Sequence, residues 1–276
     1  DDFCQAIYNS ASLHSLSVLW LSNNSTTSMA LEGFVQQIFK SGSPAKALCL
    51  RNGDGLFGKT FSVARKLLPP ILDLSGTKMI ELPPNITKLF CKKQKLVLAD
   101  CCFVDGALKS LLECLVDFDG ELELDLSNTN HFSEVFDLEF IIPSLISLAF
   151  DRNKFDSSSI NKFISFIRKQ PNLKSLSLSD CIDKEDFSHM LLQIASLFSM
   201  SLRRFKFSST DETTALGPSL AHLIEILFDK GVIEDLDITG QDLCPEDIMN
   251  LIRKLPKSLK NLAFDRNGAR NETEMN

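Results

Sequence analysis

Residues Gly53, Asp54, Gly55, Leu56, Phe57, Gly58, Lys59 and Thr60 satisfy the spacing G-x-x-x-x-G-K-[ST] in full. In that pattern backbone amides cradle phosphates, the lysine reaches the terminal phosphates and the hydroxyl binds magnesium. The loop follows an apolar segment and precedes a helical pattern, which is the setting a phosphate site needs. Residues 96–100 run apolar into Asp100, as does a strand whose aspartate holds the magnesium. Two carboxylate and hydroxyl pairs, Asp73 with Ser75 and Asp237 with Thr239, match fragments of protease signatures. His14, His131, His189 and His222 share no spacing with a cysteine or carboxylate, so neither a triad nor a metal site follows. The glycine-rich loop is the one motif that speaks for an enzyme or a nucleotide cofactor. Otherwise the expectation is no catalysis, no cofactor and no metal.

The elements that would have to position that loop answer to a different rule. The pattern Leu-x-x-Leu-x-Leu-x-x-Asn recurs with conservative replacements along the chain. Its clearest copies are Leu16, Leu19, Leu21 and Asn24; Leu145, Leu148, Phe150 and Asn153; Leu173, Leu176, Leu178 and Cys181; and Leu259, Leu262, Phe264 and Asn267. The second apolar position falls at residues 19, 48, 72, 96, 124, 148, 176, 205, 236 and 262, with steps of 24 to 31. Such a period is the signature of a repeat architecture in which each unit buries its apolar face against the next. Leu48, Leu50, Leu96 and Leu98 are claimed by it, and so are both strands that the phosphate reading requires. Leu56 or Phe57 would then turn inward as core, which leaves that loop little freedom to wrap a triphosphate.

Within each repeat, apolar residues alternate with polar ones over a short strand. The ninth position is Asn24, Thr77, Cys101, Thr129, Asn153, Cys181, Thr210, Gln241 or Asn267, each able to satisfy a backbone group where the strand bends away. Gly53 is the exception. Between strands, Leu108, Leu111, Leu112 and Leu115 share a helical face, as do Ile160, Phe163, Ile164 and Ile167 within 158–169. Three more sets follow the same spacing: Phe187, Met190, Leu191, Ile194 and Leu197; Leu220, Leu223, Ile224 and Leu227; and Ile248, Leu251, Ile252 and Leu255. Pro245 followed by Glu246 and Asp247 is a fitting helix start. Steps of 24 leave room only for short or irregular segments, one of them marked by Pro83 and Pro84.

These units are leucine-rich repeats. The expected fold is α/β: a solenoid, or horseshoe, with a concave parallel sheet of about ten strands and convex helices. An unbroken repeat offers no linker, so 1–276 is read as a single domain, with repeats over roughly 13–267 and a polar tail at 268–276 expected to fray. The absence of a polar capping unit at either end makes a piece of a longer protein the expectation.

The strand register also gives the residues that face outward from the sheet. Among them are Trp20, Arg51, Asp73, Lys95, Glu123, Asp125, Asp151, Arg204, Lys206, Asp235, Asp237 and Asp265. Ten strands about 4.8 Å apart make a face of roughly 45 Å, a span suited to a protein or peptide. Carboxylates gather at Glu123, Asp125 and Asp151 and again at Asp235, Asp237 and Asp265, with Arg204 and Lys206 between. A basic partner, or one of alternating charge, is expected; Trp20 could anchor it.

A net charge of −7 argues against nucleic acid as a partner. Arg203, Arg204 and Lys206 form the one tight basic group, read as an exposed strand with its flank. No signal peptide or membrane span is visible, so membrane contact would need other segments. The eight cysteines are scattered without Cys-x-x-Cys spacing, which points to reduced thiols and the cytoplasm. Sequons at Asn23, Asn24, Asn85 and Asn271 keep an innate-recognition ectodomain open as an alternative.

Residues 72–77 (LDLSGT), 124–129 (LDLSNT), 148–153 (LAFDRN) and 176–181 (LSLSDC), with the helices between them, carry a resemblance. The chain resembles the ribonuclease-inhibitor-like repeats, and among them the leucine-rich domain of CARMIL-type actin regulators. The resemblance implies a cytoplasmic scaffold near actin and membrane. It carries over no functional residue, because the segment that binds capping protein in that family lies beyond the repeats.

Overall fold

The computed structural model describes residues 17–20, 46–52, 68–78, 82, 86–129, 140–184, 193–195, 197, 202–210, 213–229 and 232–267. The chain divides into two compact units, Asp1–Ser147 and Leu148–Asn276. The first carries strands β1 (Val18–Trp20), β2 (Ala47–Cys49), β3 (Ile71–Asp73), β4 (Lys93–Val97) and β5 (Glu121–Asp125), with a 3-10 turn at Ile86–Leu89 and helix α1 at Ala107–Leu115. Strand β6 (Leu145–Ala149) straddles the division. The second carries α2 (Ser157–Arg168), β7 (Ser175–Ser177), β8 (Arg204–Lys206), α3 (Pro218–Asp229), β9 (Asp235–Asp237), α4 (Pro245–Arg253) and β10 (Asn261–Ala263). Strand order in the sheet is chain order, and the pairings are parallel.

The repeat markers are register partners. Leu19, Leu48, Leu72, Leu96 and Leu124 align across the first unit, and Leu176, Phe205, Leu236 and Leu262 across the second. Leu48, Leu72, Leu96, Leu176 and Leu236 are buried, as alternation requires when one face of a strand meets the core. The expected parallel sheet of leucine-rich repeats is the fold found.

The ninth position does what its chemistry allows. Thr77 Oγ1 donates to the Leu74 carbonyl at 2.5 Å, Thr129 Oγ1 to Leu126 at 3.0 Å and Asn153 Nδ2 to Phe150 at 3.1 Å. Cys101 and Cys181 reach back one repeat, to the Leu74 and Phe150 carbonyls. Gln241 donates to the Phe207 carbonyl and accepts from the Leu216 amide. Each bond satisfies a backbone carbonyl or amide away from water. Thr210 is a correction. It is exposed, and Ser209 is buried in its stead, with Oγ 2.6 Å from Thr214 Oγ1. Thr210 instead donates through its amide and hydroxyl to Asp180. That repeat has the longest step.

One position earlier lies a backbone feature that the repeat pattern did not disclose. Asn52, Gly76, Asp100, Asn128, Arg152, Asp180, Gly240 and Arg266 all have positive φ, between 51° and 74°. The left-handed turn lets the chain leave the strand while its amide still bonds the next repeat, as in Asn52 to Ser75 and Gly240 to Asp265, both at 2.8 Å. Gly, Asn and Asp are the residues that tolerate it best.

The helices fill the other layer. Leu108, Leu111, Leu112 and Leu115 of α1 are buried, as are Ile160, Phe163, Ile164 and Ile167 of α2 and Leu220, Leu223, Ile224 and Leu227 of α3. Asp156 starts α2 with a reciprocal capping box to Ser159. Pro245 starts α4, whose first turn holds Glu246 and Asp247. In α4 only Leu251 is buried; Ile252 is 43% exposed, and beyond the helix Leu255 is 39% exposed. Only part of the face expected of α4 is therefore covered. Ile194 and Leu197 are buried, while most of the helix expected over 186–198 lies outside the described residues.

Candidate functional site on the outward sheet face

In the first unit, β1 to β3 present a mostly apolar outward surface. Trp20 is 61% exposed, and its flanking outward residues Val18 and Ile71 are exposed too. The Arg51 guanidinium carbon lies 5.2 Å from the Trp20 ring centroid, a cation–π contact. The same guanidinium holds Asp73, with Nε and Nη2 each 2.7 Å from Oδ2. Asp73 Oδ1 accepts from the Ser75 hydroxyl at 2.6 Å and the Ser75 amide at 3.1 Å. Burial of Asp73 pushes its pKa up, but the bonds from Arg51 and Ser75 outweigh this and hold the carboxyl below the usual range. A chain of contacts thus fixes the tryptophan through Arg51 to a buried carboxylate.

Farther along the first unit the face becomes charged. Lys95 stands in register with Glu123, and Lys93 bridges Glu121 at 3.3 Å. Asp125 accepts from the Ser127 amide two residues on, at 3.0 Å.

In the second unit, Asp151 accepts from Ser177 Oγ at 2.5 Å and the Ser179 amide at 2.8 Å, and Lys206 Nζ lies 3.6 Å from it. Asp237 accepts from the Thr239 amide at 3.0 Å, and Asp235 from Asn261 Nδ2. Asp265 and Arg204 are exposed. At the start of the strands Glu234 takes Lys260 at 2.6 Å and also Arg203, which together hold its carboxyl below the usual range. The basic group 203–206 is therefore split, with Arg203 tied to Glu234, Lys206 to Asp151 and Arg204 left on the open face.

All the outward residues named from the sequence lie on the sheet or in the turn just after it, in two sets. Trp20, Arg51, Asp73, Lys95, Glu123 and Asp125 belong to the first unit; Asp151, Arg204, Lys206, Asp235, Asp237 and Asp265 to the second. Asp73 is a correction, because it is buried under Arg51 rather than exposed on the face; it and Asp151 are hubs that fasten backbone and side chains of neighbouring turns. Sequence reasoning missed Asp180, which is buried, has positive φ and accepts from Thr210 and Thr214. An aspartate one residue before the ladder position was its signal.

The protease-like pairs Asp73 with Ser75 and Asp237 with Thr239 are turn bonds of this kind. The loop at 53–60 lies outside the described residues. Its flanking strand residues Leu48 and Leu50 are core, and Asp100 occupies a left-handed turn and accepts from Asn128 Nδ2 at 2.7 Å. Among the described residues no group of three or more His, Cys, Asp or Glu side chains could hold a metal, and His222 is exposed on α3. His14, His131 and His189 lie outside the described residues, as do the four sequon asparagines. Cys49, Cys91, Cys101, Cys102, Cys181 and Cys244 are free; burial pushes the Cys101 thiol up to about 12 and raises Cys181 as well. Among the described residues no helix is long and apolar enough to cross a membrane.

Register, ladder and parallel order define a leucine-rich-repeat fold. No protein-family model matches the chain. No curated protein matches it either. Among solved structures it is similar to a chain of the TLR13 complex with ssRNA13, with a TM-score of 0.41 and 16% identity over 85% of this chain. The match spans 37% of that longer chain, and no residue role is carried across it.

Proposed function

We propose that this protein is a non-catalytic interaction scaffold that binds a protein or peptide on the outward face of its sheet. The observation that carries the reading is Trp20: a large aromatic, 61% exposed, held in place by Arg51 and, through it, by Asp73. An exposed indole costs a folded protein solubility, and fixing it in advance lowers the entropy lost when a partner covers it. The charged residues around it would set orientation and association rate.

A cytoplasmic setting and a role in actin regulation belong to the same proposal. The free cysteines are compatible with the first, and the motifs at 72–77, 124–129, 148–153 and 176–181 support the second through their resemblance to CARMIL-type proteins.

The test compares partner recovery from cell extract by the wild-type chain, by Trp20→Ala, and by Glu123→Lys/Asp125→Lys/Asp237→Lys, each checked for folding. Loss of the same partner from either variant supports the outward face. Equal recovery by all three moves the site elsewhere. Melting with magnesium nucleotide, with and without Lys59→Ala, and titration with single-stranded RNA are run alongside. A nucleotide-dependent shift abolished by the substitution would replace the scaffold reading with a nucleotide-dependent one, and tight RNA binding would replace the protein partner.

A further inference from the structure

Resting on the scaffold reading, we propose that the second unit recognises a polypeptide segment carrying an acidic and a basic side chain one helical turn apart. The acid would sit over Arg204 and Lys206 of β8, and the base over Asp235 and Asp237 of β9. The register puts these residues side by side, Arg204 against Asp235 and Lys206 against Asp237.

Opposite charges on adjacent strands ordinarily pair, as Lys93 and Glu121 do at 3.3 Å. Here no ion pair joins them. Lys206 leans across β7 to Asp151 at 3.6 Å, and Asp235 takes the amide of Asn261 on β10. Asp237 accepts from its own turn at Thr239, and Arg204 is exposed with no ion pair to any described residue. The result is a cationic pair on β8 beside an anionic pair on β9, with no ion pair joining the two.

Strands about 4.8 Å apart match the roughly 5–6 Å between residues i and i+4 on a helix. A segment running across the strands can therefore meet both charged pairs at once. A uniformly basic segment would be repelled by β8, and a uniformly acidic one, including a nucleic-acid strand, by β9. Rejection of single-sign partners gives the face selectivity as well as attraction.

A random-peptide phage library panned against the full chain tests this. Two variants serve as comparators, Arg204→Glu/Lys206→Glu and Asp235→Lys/Asp237→Lys, with the neutral pair Arg204→Gln and Asp235→Asn as a fallback should a reversal unfold the unit. Enriched peptides are expected to carry an acid and a base within about four residues. The best of them, made synthetically, should lose about tenfold or more in affinity against each variant. Replacing its acid with lysine should restore binding to Arg204→Glu/Lys206→Glu. Enriched peptides of one charge sign, or affinity indifferent to both variants, would overturn the proposal. Should the peptides depend on Trp20 instead, this inference fails while the scaffold reading stands; if nothing is enriched on any form of the chain, both fail.

Discussion

The guanidinium of Arg51 covers the ring of Trp20 at 5.2 Å while its nitrogens grip Asp73 on the next turn. Aromatic and carboxylate lie on strands that β2 separates, and a single arginine from the turn after β2 joins them. Arg51→Ala should free the indole, seen as a red-shifted emission and faster iodide quenching of the chain's one tryptophan. A stability loss of about 1–2 kcal/mol should accompany it, kept small because the arginine is partly solvated.

The Asp73 carboxyl has its folded pKa below its unfolded one. Its stabilising effect is therefore complete above the ordinary aspartate value near ~3.9 and is lost as pH falls through the lowered folded value. Wild type and Asp73→Asn should differ in melting temperature at pH 6 and converge as pH falls through that lowered folded value. A gap that is constant with pH would show that the carboxylate charge is not what Arg51 holds.

Two glycines with left-handed backbone separate crowding from strain. At Gly240 (φ 74°) a Cβ would stand 2.1 Å from the Ser209 carbonyl oxygen, whereas at Gly106 (φ 75°) it would meet nothing within 4 Å. Gly106→Ala should cost about 1 kcal/mol of conformational strain. Gly240→Ala must also push two turns apart and should cost about 2–4 kcal/mol. Equal losses in urea titrations would contradict the contact.

Two buried polar side chains behave oppositely. Gln94 Nε2 donates to the carbonyls of Pro69, Pro70 and Lys95, and its Oε1 accepts from the Cys91 amide. Gln94→Leu strands those groups and should cost about 2–3 kcal/mol. The hydroxyl of Ser144 is buried with no hydrogen-bond partner among the described residues. Ser144→Ala should leave stability unchanged or raise it by up to about 1 kcal/mol. A clear loss from the second substitution, measured by thermal melting, would reveal a partner for that hydroxyl.

Thiol labelling should sort the cysteines by burial. Cys102 and Cys244 are exposed, while Cys101 and Cys181 are buried with raised pKa values. In the native protein near pH 8, the first pair should react with an aromatic disulfide reagent within minutes and the second only on unfolding. Fast reaction at Cys101 or Cys181 would show that the ladder opens locally.

The period, the parallel register and the inward leucines were legible in the sequence because they are local facts. An alternating apolar strand can bury only one face, and a one-residue slip would expose Leu48, Leu72 and Leu96 together. The outward row followed from the same alternation, and so did the hydrogen-bonding task of Thr77, Asn153 and Gln241. What those side chains then do was settled by tertiary structure. Asp73 meets Arg51, Ser177 meets Asp151 and Thr214 meets Asp180 across 22 to 34 residues of chain. Partners so far apart in sequence depend on how neighbouring turns stack and which rotamers fit between them. The exchange of Thr210 for Ser209, the separate partners taken by the charges of β8 and β9 and the exposed flank of α4 have the same origin. Alternation fixes which way a side chain points; only packing between repeats fixes what it reaches.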